Sequence, residues 1–307
     1  MTKQYDVAIA GDVFCDLIFT GLPRMPHMGE ELFSTDFSMT PGGIFITAVT
    51  LRRLGMNVGM YAHMGNDPFS LFLLSQMEEE KLDLGLVQRV DRPLRTLSVA
   101  LSFAEDRSFV SFADPRPGEL TPAEALQNHR FRHLHIHWLG QLWEHPGLVQ
   151  MAREQGASIS LDCQCCPEVM ARPDLAEKLG TVDVFMPNTA EALQVTGTGD
   201  PEEALDKMAA WTPTAIVKLG KDGAIAACDG ERFRVEPLPV NAIDTTGAGD
   251  AFAGGFIYGL LNGLSFTETL RAASICGALS TTALGGATRV PHLPELEERL
   301  RKWGQPS

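Results

Sequence analysis

Short apolar runs alternate with helical stretches from about residue 120 onward, which predicts an α/β protein built on a central, mainly parallel sheet with helices on both faces. Two stretches stand outside that rhythm. Thr96–Phe103 and Ser108–Phe112 flank Ala104-Glu105-Asp106-Arg107 as the strands of a hairpin would, and residues 17–41 are rich in Pro, Gly, Met and β-formers with no helical period. Together they predict a small β-sheet lid over about 17–41 and 94–113. A chain of 307 residues suits one large core with a small appendage, so a single domain over 1–307 is expected.

The elements follow in order. Tyr5–Ala10 is an apolar run closed by Gly11, the pattern of a buried strand. Pro41-Gly42-Gly43 opens a predicted helix through about Leu54, stopped by Gly55, before a strand at Asn57–His63 and a helix at Pro68–Leu82. Beyond the hairpin come strand His133–Trp138, a helix near 146–155, strand Ala157–Asp162 and a helix near 168–179. Strand Val182–Met186 leads to helices near 189–196 and 201–211, then to strands Ala215–Leu219, Ala224–Cys228 and Phe233–Glu236. Helices near 247–262, 266–284 and 293–302 end the series. In such folds ligands bind off the carboxyl ends of the strands, where Asp16, Asp162, Asn188 and Gly220 fall.

Composition removes several function classes. A net charge of −14 excludes a nucleic-acid polyanion as partner, because that binding needs a basic surface. The uncharged runs 251–267 and 272–288 fall short of the ~20 apolar residues of a spanning helix and are loaded with small residues, so no membrane is expected. The first residues run into a strand without a signal-peptide core, and a cytoplasmic protein is expected. Cys163, Cys165 and Cys166 cluster, but no matching pair stands at zinc spacing; His133, His135 and His137, which project to one face of a strand, are the only supplement. Neither GxGxxG nor GxxxxGK[ST] occurs, which argues against a nicotinamide dehydrogenase and a P-loop ATPase.

Chemistry concentrates at Asp244-Thr245-Thr246-Gly247-Ala248-Gly249-Asp250, a loop that turns into a buried helix of small residues, with two threonines able to cap it. A helix N-terminus leaves backbone N–H groups unpaired and carries about half a positive charge, a cradle for an anion. Gly247, Ala248 and Gly249 let a bulky anion approach, and Asp250 adds a base beside it, as phosphoryl transfer to a hydroxyl requires. A glycine-rich tight turn into a packed helix is the alternative. Asn188 and Glu191, three apart at a helix start, suit either Mg²⁺ and its waters or a capping box. Lys218, Gly220 and Gly223 close a strand in a turn fit for a nucleotide or for a plain hairpin, and Asp16 with Gly42 and Gly43 is similarly two-sided.

The order and spacing of these signals resemble the ribokinase-like carbohydrate kinases, the PfkB family, over nearly the whole chain. Asp244 to Asp250 with Ala251, Phe252 and Gly255 resembles the family's C-terminal signature. Gly42-Gly43 with Leu54-Gly55 resembles its N-terminal one, Pro187-Asn188 with Glu191 its metal-associated motif, and Lys218 to Gly223 its nucleotide turn. The resemblance implies a three-layer α/β/α ribokinase-like fold with a β-sheet lid, and an ATP- and Mg²⁺-dependent kinase acting on a hydroxymethyl group of a sugar-like acceptor or a nucleoside. It implies Asp250 as base, Gly247, Ala248 and Gly249 as anion hole, Asn188 and Glu191 around Mg²⁺, and Thr246, Lys218, Gly220 and Gly223 along the nucleotide. Asp16, Phe14, Gly42, Gly43 and Thr47 would lie along the acceptor, and the lid is also a candidate homodimer surface. Three departures from the family pattern stand out. Phe14 replaces a common Asn, and Ile44 and Thr47 replace a Lys and a sugar-binding Asn, which predicts a more apolar acceptor pocket than one for ribose. Arg289 falls where a small hydroxyl residue often helps bind a monovalent cation, leaving Asp244 as the candidate K⁺ ligand. A non-catalytic regulator on this fold is the rival, against which Asp250 and the Asn188/Glu191 pair both stand.

Overall fold

A computed structural model describes residues 3–103, 107–116, 120–164 and 166–303. Its strands are β1 (Gln4–Ala10), β2 (Val13–Thr20), β3 (Asp36–Gly43), β4 (Val58–Met64), β5 (Val87–Arg89), β6 (Thr96–Ser102), β7 (Arg107–Ala113), β8 (Arg130–Ile136), β9 (Ser158–Leu161), β10 (Val184–Phe185), β11 (Thr214–Lys218), β12 (Ala224–Cys228) and β13 (Glu231–Val235). Nine of them form one sheet in the order β13-β12-β11-β10-β9-β8-β1-β4-β5. Every pairing from β11 through β5 is parallel, and only the β11-β12-β13 edge is antiparallel.

Alternation along the strands explains the layers. Leu134 and Ile136 of β8 join one core with Leu148, Leu179 and Leu205 from helices on that side. His133, His135 and His137 take the intervening positions and so occupy the opposite face. Over the opposite face lie the helices Ile44–Arg53, Pro68–Glu79, Ala248–Leu261 and Phe266–Ser280, whose Ile44, Leu51, Leu73, Met77 and Ile257 form a second core with Val7 and Ile9. The three-layer expectation holds.

The lid is a four-stranded sheet in the order β3-β2-β6-β7. Its register gives it two unlike faces. Thr40, Asp16, Ser98 and Ser111 form a polar row on one side, whereas Met39, Leu17, Val99 and Val110 form an apolar row on the other. A Cβ at Gly285 would come 2.6 Å from Thr40 Cγ2, which places the polar face toward the loop beside the main domain's helices.

Several expectations are corrected. Pro41, Gly42 and Gly43 end β3 instead of opening a helix, because each pairs with β2; the helix begins at Ile44. The helix near 168–179 is two short ones, Pro167–Met170 and Leu175–Leu179, split around Pro173, whose ring forbids continuation. The helix near 266–284 stops at Ser280, and the one from Pro68 stops at Glu79. Strand β5 and the short helices Pro122–Leu126 and Gln141–Glu144 were not anticipated; each has at most five residues, too few to show a period. The hairpin's turn at 104–106 and Cys165 lie outside the described residues. Among the described residues no helix is long and apolar enough to cross a membrane.

Glycine sets the closest helix contact. A Cβ on Gly255 would come 2.7 Å from the Ala272 carbonyl and 2.9 Å from Ala273 Cα, both backbone atoms that cannot turn aside. Gly255→Val is therefore expected to destabilise the fold by about 1–3 kcal/mol, the usual cost of overpacking, as read from urea denaturation midpoints. A variant as stable as wild type would show that these two helices are not in contact here.

Candidate active site

Because β1, β8, β9, β10 and β11 run parallel, their carboxyl ends share one edge of the sheet, where Asp12, His137, Asp162, Asn188 and Lys218 follow one another across the strands. A cleft of ≈ 730 Å³ opens beside this edge, the volume of a site for a nucleotide-sized ligand. Its polar floor holds His137, Asp162, Asn188, Glu191, Lys218 and Asp250, and its apolar wall is built from Pro237, Leu238, Pro239, Val240, Ala242 and Ala278.

The helix Ala248–Leu261 points its first turn into this cleft. Gly247 is its N-cap with φ 73°, and no side chain caps it, so Thr245 and Thr246 do not play the capping part expected of them. Thr246 instead donates its backbone N–H to Asp244 Oδ1 (2.9 Å). Gly247, Ala248 and Gly249 line the cleft together with Asp250. A Cβ on Gly247 would overlap Ile46 Cδ1, so the left-handed turn and the close packing both require glycine.

Asp250 is held in two ways. Thr47 Oγ1 donates to its backbone carbonyl (3.1 Å), and its side-chain Oδ1 accepts from His137 Nε2 (2.8 Å). His137 is buried, which pushes its pKa down, but Asp250, its hydrogen bond, Asp162 and Asp12 outweigh that and raise it overall. Lys218 Nζ lies 2.8 Å from both oxygens of Asp162, and a Cβ on Gly249 would be only 3.1 Å from it. Burial pushes the ammonium down, yet Asp162, Glu191 and Asp250 hold it above its ordinary value.

Asn188 and Glu191 form the capping box of the helix Thr189–Thr196. Asn188 Oδ1 accepts the Glu191 N–H (3.0 Å), and Glu191 Oε2 accepts the Asn188 N–H (2.8 Å). The capping reading of this pair is therefore observed, and both residues also line the cleft. Burial and Asp162 raise the Glu191 pKa against the opposing pull of Lys218. Among the described residues no three His, Cys, Asp or Glu side chains converge as ligands of an ion, so Mg²⁺ here would be held through phosphates and water. Gly220 (φ 60°) and Gly223 (φ 84°) bend the chain at the cleft rim.

The residues expected along an acceptor are not among those lining this cleft. Asp16 is buried on β2 against Gly42, where a Cβ would overlap its carboxylate, and Phe14 packs beside Gly43. Thr47, also expected there, and Ile44, the departure beside it, are wholly buried in the helix Ile44–Arg53. Asp244 spends Oδ1 on the Thr246 N–H and Oδ2 on the Gly285 N–H (2.9 Å), while Arg289 pairs with Glu295.

Sequence reasoning missed His137 as a partner of Asp250, the Asp162–Lys218 pair and Arg116. Arg116 bonds Asp12 Oδ1 and Thr96 Oγ1 (3.1 Å), tying the end of β1 to the lid strand β6. Of the three, only the histidines gave a signal, their alternation onto one face.

The sequence pattern described as pfkB family carbohydrate kinase matches residues 3–293. A ribokinase of Lactococcus lactis subsp. lactis (strain IL1403) is 29% identical, the alignment covering 98% of each chain. A fructokinase of Klebsiella pneumoniae is 28% identical over 95% of this chain and 98% of its own. Among solved structures, a doubly substituted fructokinase from Vibrio cholerae O395 holding fructose, ADP and a potassium ion is 26% identical. It superposes with a TM-score of 0.76 over 97% of this chain and 98% of its own.

The Asp162–Lys218 pair allows a direct test. Lys218→Met leaves a buried carboxylate without its counter-charge and is expected to cost about 3–5 kcal/mol by urea denaturation, whereas the double variant Asp162→Leu/Lys218→Met recovers most of it. Equal losses in the single and double variants would mean that the ammonium is not compensating Asp162.

Proposed function

The chain belongs to the pfkB family of carbohydrate kinases, and from that membership we propose that it transfers the γ-phosphoryl group of ATP to a hydroxymethyl group of a sugar or sugar-like acceptor. The observation that carries this reading is the uncapped helix turn Gly247–Gly249, which shares one cleft with the Asp250 carboxylate and the Lys218 ammonium.

Asp250 takes the acceptor hydroxyl's proton as the new O–P bond forms and the bond to ADP breaks. The N–H groups of the first helical turn receive the charge that develops on the phosphoryl oxygens. Lys218, next to Gly249, neutralises phosphate charge at the same point, and the Pro237–Val240 wall receives the base. Asn188 and Glu191 would orient the water shell of Mg²⁺, which would supply further charge neutralisation at the phosphates. Asp16, Phe14, Gly42 and Gly43 contact the acceptor, the lid's polar row closes over it, and water is excluded. Thr246 shapes the turn, and Asp244, whose two oxygens each accept one backbone N–H and keep further lone pairs, would be the carboxylate offered to K⁺. The whole chain acts as one domain with its lid.

The lid's outer face is proposed to meet a second copy of the chain. Phe37, Val110 and Phe112 there are each at least 50% exposed, a contiguous apolar patch of the kind that marks an interface. Val110→Asp is expected to shift the sedimentation profile from dimer to monomer; a profile unchanged by the substitution, or a monomeric wild type, would sink this part.

Activity decides the rest. ADP release with ATP and Mg²⁺ is measured across sugars, sugar acids, sugar phosphates and nucleosides, with and without K⁺. Asp250→Asn is expected to lower turnover by on the order of 10²–10⁴ while ATP still binds. Wild-type turnover in that variant would remove Asp250 as the base, a nucleoside as best acceptor would favour a nucleoside kinase, and silence across the panel would favour a ligand-binding regulator.

A further inference from the structure

We propose that His137 is a positioning residue for this reaction: its Nε2–H holds Asp250 Oδ1 and leaves Oδ2 as the oxygen presented to the acceptor hydroxyl. The proposal deepens the kinase reading and rests on it.

The geometry carries the argument. Among the described residues Oδ2 of Asp250 takes no hydrogen bond, and Thr47 fixes only the backbone carbonyl of that residue. The rotation of the carboxylate is therefore set by one contact, 2.8 Å long, from a ring whose side chain is only 3% exposed. The ring is itself fixed from several sides. Its backbone N–H donates to the Ala10 carbonyl (3.1 Å), a Cβ on Gly11 would come 2.7 Å from His137 Cβ, and the Gln164 amide lies 3.2 Å from Nδ1. A donor fixed in this way holds a general base in the productive orientation before the acceptor arrives, and a misplacement of about 1 Å at such a base can cost on the order of 10²-fold in rate.

The electrostatics are consistent with an imidazolium in this place. Asp250 faces the ring from the helix, Asp162 from the end of β9 and Asp12 from the end of β1, all raising its pKa against burial. On its own strand His135 is buried and pushed well down, and so contributes no charge near neutrality; Lys218 stands beyond Asp162 and is bonded to it. Gln164 is neutral, and its amide can turn to offer either oxygen or nitrogen to Nδ1. The signs follow: burial alone would favour the neutral ring, and the carboxylates reverse it. As pH rises through the raised value the ion pair becomes a neutral hydrogen bond.

The test uses the full chain with Asp250→Asn, His137→Leu and His137→Gln, the last carrying a donor near the position of Nε2. With the acceptor giving most ADP release in the panel, His137→Leu is expected to lose about 10–100-fold in kcat with little change in acceptor KM. His137→Gln should recover most of that loss and lack the inflection above pH 6.5 expected in the wild-type kcat profile. Both variants should bind ATP with wild-type affinity, which also reports that they are folded. Full kcat in His137→Leu while Asp250→Asn is inactive would overturn the proposal and leave the kinase reading standing; wild-type turnover in Asp250→Asn would overturn the kinase reading. An activity-independent arm follows the His137 ring by NMR, where its pKa should lie above about 6.5 in wild type and below it in Asp250→Asn. A titration indifferent to Asp250 would also overturn the proposal, whether or not an acceptor has been found or His137→Leu folds.

Discussion

Everything at the site depends on one left-handed residue. Gly247 reverses the chain at φ 73° and starts the helix Ala248–Leu261 without a side-chain cap, at a cost of only a few tenths of a kcal/mol relative to a capping Ser, Thr or Asp. The stabilisation comes instead from around the turn. Asp244 ties Thr246 to the Gly285 loop, Ile46 fills the space where a Gly247 Cβ would be, and Thr47 anchors the Asp250 carbonyl. The helix N-terminus is thus held rigid from outside while its own N–H groups stay available, which is the condition for an anion site that needs no reorganisation.

The charges around that turn form a balanced set. Asp162, Glu191 and Asp250 line one cleft, and Lys218 and His137 are the basic groups bonded to two of them there, Lys221 also lying along the lining. Asp162 holds Lys218 with both oxygens, so the ammonium is paired there and not with Asp250. His137 engages one oxygen of Asp250 and leaves the other open. Glu191 satisfies its helix cap through one oxygen, so a carboxylate lining the cleft is fixed by the same bond that starts its helix.

Much of this was legible in the chain because it is local. The strand–helix rhythm gave the parallel sheet, and the motif from Asp244 to Asp250 gave the turn and the helix that follows. What was not legible is nonlocal. His137 and Asp250 are 113 residues apart, and Asp162 and Lys218 are 56 apart. Alternation put three histidines on one face of β8, but nothing in the sequence says which helix covers that face. Gly42 and Gly43 misled because glycines before an apolar run look like a helix start, whereas strand pairing with β2 claimed them first. Five-residue helices and three-residue strands escape any periodicity argument.

The side expected to hold the acceptor is the place where this matters most. Two departures from the family pattern, at Phe14 and at Ile44 with Thr47, predicted a more apolar acceptor pocket. Ile44 and Thr47 are wholly buried, and Thr47 spends its hydroxyl on the backbone of the helix that carries Asp250. Thr47 thereby helps hold the helix Ile44–Arg53 against the turn at Gly247. Phe14, beside Gly43, stands near a feature no motif announced: the Asp12–Arg116 pair that links the end of β1 to the lid strand β6. Arg116 reaches Asp12 from the lid side and also bonds Thr96, so one side chain joins body and small sheet, and any displacement of that sheet from the body has to carry this contact with it or break it.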